Sequence, residues 1–178
     1  MPRYSRRIRR YRRRSSKWAA NLQEINTTTI QAAAQSQFNW TYILAFNPTQ
    51  TNTAVSQVFT VKNLEVNFYI DSNSVSPNLE DICAYIMFVP QGMPVTLSYN
   101  LEHPEYIMAY KYLGSPSTDT TSNGNTGQQY QPTRIRTRLS RKLQSGDNVI
   151  LFLKGSNLGT TDTTFDVHGL IRWWTKAN

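Results

Sequence analysis

The amino-acid sequence predicts an all-β fold: one eight-stranded antiparallel jelly roll behind a basic N-terminal arm. Three observations carry this. Residues 22–178 hold about eight β-rich runs, with no long helical pattern and turn signals throughout, the signature of a sandwich or barrel, and eight such strands fit a jelly roll. At 178 residues the chain suffices for one domain with a substantial core. Residues 1–21 are of another kind. Arg3, Arg6, Arg7, Arg9, Arg10, Arg12, Arg13, Arg14 and Lys17 give that stretch +9 without a single acid, whereas ten basic and eleven acidic residues leave the remainder at −1.

The strands follow in order. Asn26 to Ala34 ("NTTTIQAAA") begins with β-branched residues and retains a helical option in its alanines. Phe38 to Phe46 ("FNWTYILAF") is aromatic and β-branched and stops at Asn47-Pro48. Val58 to Ile70 alternates, but its phase slips. Phe59 and Val61 share one face, and Leu64, Val66, Phe68 and Ile70 take the other parity, which predicts a bulge near Lys62-Asn63. Asp71 to Asp81 reads as a connection. Ile82 to Val89 ("ICAYIMFV") is apolar without alternation, a strand covered on both faces and open to cover by a neighbouring subunit. Tyr106 to Leu113 is another, closed by Gly114-Ser115-Pro116. The stretch from Gly114 to Pro132 is almost wholly Gly, Ser, Thr, Asn, Gln and Pro, and is expected to be an exposed, mobile loop.

Thr133 to Leu139 ("TRIRTRL") alternates strictly, with Arg134, Arg136 and Arg138 on one face and Ile135 and Leu139 on the other. Asn148 to Leu153 follows a Ser-Gly-Asp turn. Phe165 to Thr175 closes the body. There Phe165, Val167, Ile171 and Trp173 form a core face, and Asp166, His168, Leu170, Arg172 and Trp174 form the opposite one. A tryptophan beside an arginine on a mixed face suits a subunit contact or a nucleic-acid contact. The same two roles, or plain solvation, are open to the Arg134/Arg136/Arg138 stripe.

Signs of catalysis are few. His103 lies near Glu102 and Glu105, and His168 shares a strand face with Asp166, but neither has the further ligands a metal site needs. There is no glycine-rich phosphate loop, nucleophile elbow or Cys/His constellation. The sequence therefore points to a binding or structural protein rather than an enzyme, with no cofactor and no metal. The one cysteine, Cys83, reads as a buried small hydrophobe and cannot form an intrachain disulfide. No run approaches the length of a membrane-spanning helix, and the arm lacks the apolar segment of a signal peptide. The matches Asn26-Thr27-Thr28 and Asn39-Trp40-Thr41 to a glycosylation acceptor lack a secretory context.

Nine like charges in the fifteen residues from Arg3 to Lys17 repel one another, so the arm needs an anionic partner to order it. Arginine outnumbers lysine eight to one. Its planar fork grips phosphate oxygens in pairs and stacks on bases, which favours nucleic acid. Tyr4, Ile8, Tyr11 and Trp18 fall at helical spacing. They form a stripe on an induced helix, stack on unpaired bases, or are incidental to a disordered tail. A mitochondrial transit peptide would carry more alanine and leucine, and a membrane-surface helix a wider apolar face. The acidic groove of a nuclear import receptor would read the same residues as nucleic acid does.

The blocks "RRIRRYRRR", "HPEYIMAYKYLGSP", "RIRTRLSRKLQSGD" and "RWWTKAN" together resemble the capsid proteins of small circular Rep-encoding single-stranded DNA viruses, the circovirus-like group. The resemblance spans most of the chain, although the chain is shorter than a typical circovirus capsid protein. It implies a jelly roll at 22–178, sixty copies in a T=1 icosahedral shell, and a virion that assembles in the host nucleus. It further implies that the arm, with Tyr4, Tyr11 and Trp18, lies inside and binds single-stranded DNA without sequence preference. The same arm would be the nuclear localisation signal, and surface loops such as Gly114 to Pro132 would meet a host-cell receptor. The competing reading is a monomeric nucleic-acid-binding β-barrel module with a basic tail.

Overall fold

The computed structural model describes residues 17–47, 58–72, 79–114, 117–120, 126–129 and 132–177. Among these the chain forms strands β1 (Ala19–Ala32), β2 (Ser36–Phe46), β3 (Phe59–Ser72), β4 (Leu79–Val89), β5 (Ile107–Gly114), β6 (Ser117–Thr120), β7 (Thr126–Gln129), β8 (Thr133–Thr137), β9 (Arg141–Leu143), β10 (Asn148–Asn157) and β11 (Thr163–Ala177). One short helix, α1 (Leu97–Glu102), lies between β4 and β5. The smaller sheet runs β2-β10-β4-β5. The larger runs β1-β11-β3, and the far edge of β3 is paired in turn by β9, β8 and β7, with β6 outside β7. With β8 and β9 taken as one interrupted strand, the pairing is nested. The first strand pairs with the last, the second with the last but one, β3 with β8 and β4 with β5. Split over two antiparallel sheets, this order is the jelly roll.

The apolar residues of the inner faces account for the sandwich. Ile25, Val66, Phe68, Ile70, Phe165 and Val167 of the larger sheet meet Phe38, Leu44, Ile82, Ile86, Leu151 and Leu153 of the smaller. Phe165 is fully buried and meets the Phe38 ring edge-on at 4.9 Å. Phe165→Ala should lower stability by about 3–5 kcal/mol, read from the urea midpoint, because nothing nearby can refill so large a hole.

The expected bulge is present. Arg172 faces Glu65 and Trp174 faces Lys62, so two residues of β3 oppose the single Trp173. Asn63 takes a left-handed φ of 50°, which asparagine tolerates better than most residues. The slip keeps Val61 and Leu64 both inward and turns Lys62 outward.

Several expectations need correcting. The first strand begins at Ala19, not Asn26, and ends at Ala32. Its early inward positions Asn21 and Gln23 are polar, and they bond to Thr175 Oγ1 and the Tyr42 hydroxyl rather than to core. The expected connection from Asp71 to Asp81 is shorter, since β3 reaches Ser72 and β4 starts at Leu79. The second face of β4 is covered partly by the chain itself. Met87, Val89, Ile150 and Phe152 form a small outer cluster under Leu97 of α1, whose first turn Thr96 caps by accepting from Tyr99 N–H. Cys83 is half-buried on that outer face, opposite Tyr112, rather than in the core.

The polar stretch from Gly114 to Pro132 is not all loop. Ser117–Thr120 and Thr126–Gln129 pair as a hairpin, and Gln129 joins it to Asp71 of β3. Its threonines and glutamines suit an edge whose backbone groups find partners, even with little apolar surface to bury. Leu139 is half exposed, because β8 stops at Thr137 and its Oγ1 accepts from Leu139 N–H. The buried companions of Ile135 are instead Thr133 and Thr137.

Candidate nucleic-acid interface on the larger sheet

Residues opposite one another across antiparallel strands share a face, so the register of the larger sheet gives its outer surface row by row. Glu24, Leu170, Asn67 and Arg134 lie side by side. The next row is Leu22, Arg172, Glu65 and Arg136. Ala20, Trp174 and Lys62 follow, then Lys176, Thr60 and Lys142. Arg138, just beyond β8, lines the same surface. These four rows and Arg138 hold seven of the ten basic residues outside the arm and two of the eleven acids, and Asp166 and Asp71 face outward further along the same sheet. The near-neutral body is therefore electrically two-sided, which its composition hides.

At the centre is a cleft of about 270 Å³ lined by Asn63, Leu64, Glu65, Arg134, Arg136, Thr137, Arg138, Arg172 and Trp174. All five body residues singled out from sequence, Arg134, Arg136, Arg138, Arg172 and Trp174, come together there. The Arg172 guanidinium stacks over the Trp174 ring at 4.7 Å, a cation–π contact that holds both planes in place. Arg134 Nη2 donates to Glu65 Oε2 at 2.6 Å, and Asn67 Nδ2 donates to Oε1 at 3.1 Å. The Arg134 hydrogen bond outweighs partial burial and holds the Glu65 carboxyl below the usual carboxylate range.

Trp18 sits where the chain enters β1. Its ring lies 3.7 Å from Lys62 Nζ and 6.0 Å from Lys176 Nζ. The aromatic expected to work with the arm is thus seated on the sheet. It fixes the point from which residues 1–16 depart at the rim of the basic surface. Lys17 is exposed beside it. Arg3, Arg6, Arg7, Arg9, Arg10, Arg12, Arg13, Arg14, Tyr4 and Tyr11 lie outside the described residues.

Sequence reasoning missed Lys62, Lys142, Lys176 and Glu65. Lys176 was within reach, since it continues the parity of Arg172 and Trp174. Lys62 was too, since it alternates with the inward Val61 just before the expected bulge. The two histidines are apart in the chain's architecture. His103 Nδ1 lies 3.2 Å from Glu105 Oε1 in the connection before β5, and its ring packs with those of Tyr99 and Tyr106. His168 stacks on Tyr69 at 5.0 Å on the outer face of the larger sheet. Among the described residues no cluster of His, Cys, Asp and Glu could hold a metal ion.

No protein-family model matches the chain, and no curated protein does. Some solved structures are similar. That of desmodium yellow mottle tymovirus is 12% identical over 89% of this chain and 90% of its own, with a TM-score of 0.31. That of infectious bursal disease virus, Gt strain, is 9% identical over 85% of this chain, with a TM-score of 0.30. T=1 particles derived from infectious bursal virus are 10% identical over 87% of this chain, with a TM-score of 0.20. This chain spans 32% and 41% of those last two. These neighbours are viruses and virus-derived particles. Similarity at such TM-scores carries no argument of its own, and the jelly roll rests on the strand order.

Proposed function

We propose that this chain is the capsid protein of a small single-stranded DNA virus. Its jelly-roll bodies tile as sixty copies of a T=1 shell, with the arm and the basic sheet face turned inward onto the genome. The observation that carries the reading is the coincidence of two basic elements. The arm leaves β1 at Trp18, and seven of the body's ten cations lie on the sheet face beside that point. Sixty arms of +9 present roughly 540 positive charges to an enclosed strand, a fair match to the phosphates of a small genome. A body that nets −1 also suits copies that pack side by side without mutual repulsion. Arg3 through Lys17 serve in addition as the nuclear localisation signal, and loops at the sandwich ends meet the host cell.

A second reading is favoured by the same face. A monomeric nucleic-acid-binding β module also spreads cations and aromatics over one sheet, and Trp174 with Arg172 fits that description. Oligomeric state separates the two. Electron microscopy of the purified full chain, with and without nuclease, is expected to show uniform shells of about 20 nm. A monodisperse monomer at every salt concentration would overturn the shell and leave the module.

A further inference from the structure

We propose that the cleft between β3, β8 and β11 is a single-nucleotide site that prefers unpaired guanine, with Glu65 reading the base and Trp174 and the arginines holding it. The inference rests on the nucleic-acid reading of this face and adds a choice of base to it.

The cleft combines three groups that plain charge neutralisation does not require. The first is the planar pair of Arg172 and Trp174, stacked at 4.7 Å, against which a base can lie flat. The second is the exposed pair Arg136 and Arg138 on the β8 side, whose forks suit phosphate oxygens. The third is Glu65, an acid at the centre of a surface otherwise built to attract anions. Its side chain is only 18% exposed, against 54% for its partner Arg134. A carboxylate there weakens non-specific phosphate binding, so a surface serving charge alone would do better without it.

The bonding of Glu65 shows what it offers. Oε2 accepts from Arg134 and Oε1 from Asn67, one partner on each oxygen among the described residues. An ionised carboxylate accepts about four hydrogen bonds, so each oxygen keeps one acceptor site toward the cleft. Guanine presents two adjacent donors, N1–H and the N2 amino group, on its Watson–Crick edge, at a spacing that matches two carboxylate oxygens. Adenine and cytosine present one donor beside an acceptor there, and thymine one donor between two acceptors, which the carboxylate would repel. The Watson–Crick edge is free only in an unpaired strand. The same geometry therefore selects single strands and, within them, guanine. Arg134 and Asn67 position the carboxylate, and the Arg134 bond keeps it ionised.

The test uses the full chain and four fluorescent pentanucleotides, dTTGTT, dTTATT, dTTCTT and dTTTTT. Affinities are measured by anisotropy at salt high enough to suppress most binding to the arm. The wild type is expected to bind dTTGTT at least ~5-fold more tightly than the other three, the low end for a two-bond base contact. Glu65→Gln exchanges one acceptor for a donor, and should bring the four affinities together without lowering that for dTTTTT. Equal affinities in the wild type, a preference for another base, or a guanine preference that survives Glu65→Gln would each overturn the site. The wild-type comparison decides by itself if Glu65→Gln does not fold. Failure of the underlying reading looks different, because then none of the pentanucleotides binds once salt has suppressed the arm.

Discussion

On the proposed function, deleting residues 2–17 should empty the shells of nucleic acid and leave the body folded. The segment carries all nine cations of the arm, and without it the chain nets −1. The cut stops short of Trp18, so the ring keeps its contacts with Lys62 and Lys176, and β1 still begins at Ala19. No residue of the buried core is touched. If all nine charges engage a single strand, they contribute about −6 to the slope of log K against log salt, and that contribution disappears with them. The seven cations of the sheet face remain, and two acids in their rows offset part of their pull. Residual uptake should therefore be small and lost at modest salt. The measurement is the absorbance ratio at 260 and 280 nm of purified shells, beside the far-UV circular dichroism of the variant. Shells that keep the wild-type nucleic-acid content would move the main grip from the arm to the sheet.

Much of the architecture is written in local patterns. The phase slip between Val61 and Leu64 predicts the bulge, because an inward residue at both positions is possible only if one residue is extra. Alternation in "TRIRT" puts Arg134 and Arg136 outward, since Ile135 must face in. The apolar run of β4 announces cover on both faces, but not its source, which is in part Leu97, eight residues past the strand's end at Val89. Where inward positions are polar the signal fails. Asn21 and Gln23 answer to partners across the sheets, Thr175 and Tyr42, and no local pattern reports a partner that distant.

The site was legible as a set of residues and not as a place. Parity along β11 gives Arg172 with Trp174, and parity along β8 gives the arginine stripe. That the two meet depends on β3 lying between them in a register that sets Arg172 and Arg136 on either side of Glu65. Net charge was misleading for the same reason. A body at −1 reads as bland until the pairing shows its cations gathered on one face.

That register makes the second large prediction. Gly169→Ala should lower the thermal midpoint by roughly 6–12 °C, the equivalent of about 3 kcal/mol for a chain of this length. Gly169 lies in mid-strand on β11, opposite Phe68 of β3, with both facing the core. The requirement is space rather than unusual backbone. A methyl there would fall on the Asn67 carbonyl oxygen and come within 2.8 Å of Phe68 Cβ. Neither atom can yield, because Asn67 and Phe68 are themselves paired to Arg134 and Thr133 of β8. To admit the methyl, β11 must part from β3 three residues from the Arg172–Glu65 pair, so the sandwich loosens and the basic face is disrupted together. Leu170 is the control. It is next in sequence, half exposed and on the outer face, and Leu170→Ala should change stability by no more than about 0.5 kcal/mol. If the two variants melt alike, β11 and β3 are not paired in this register. The row placing Arg172 beside Glu65 would then be lost, and with it the cleft.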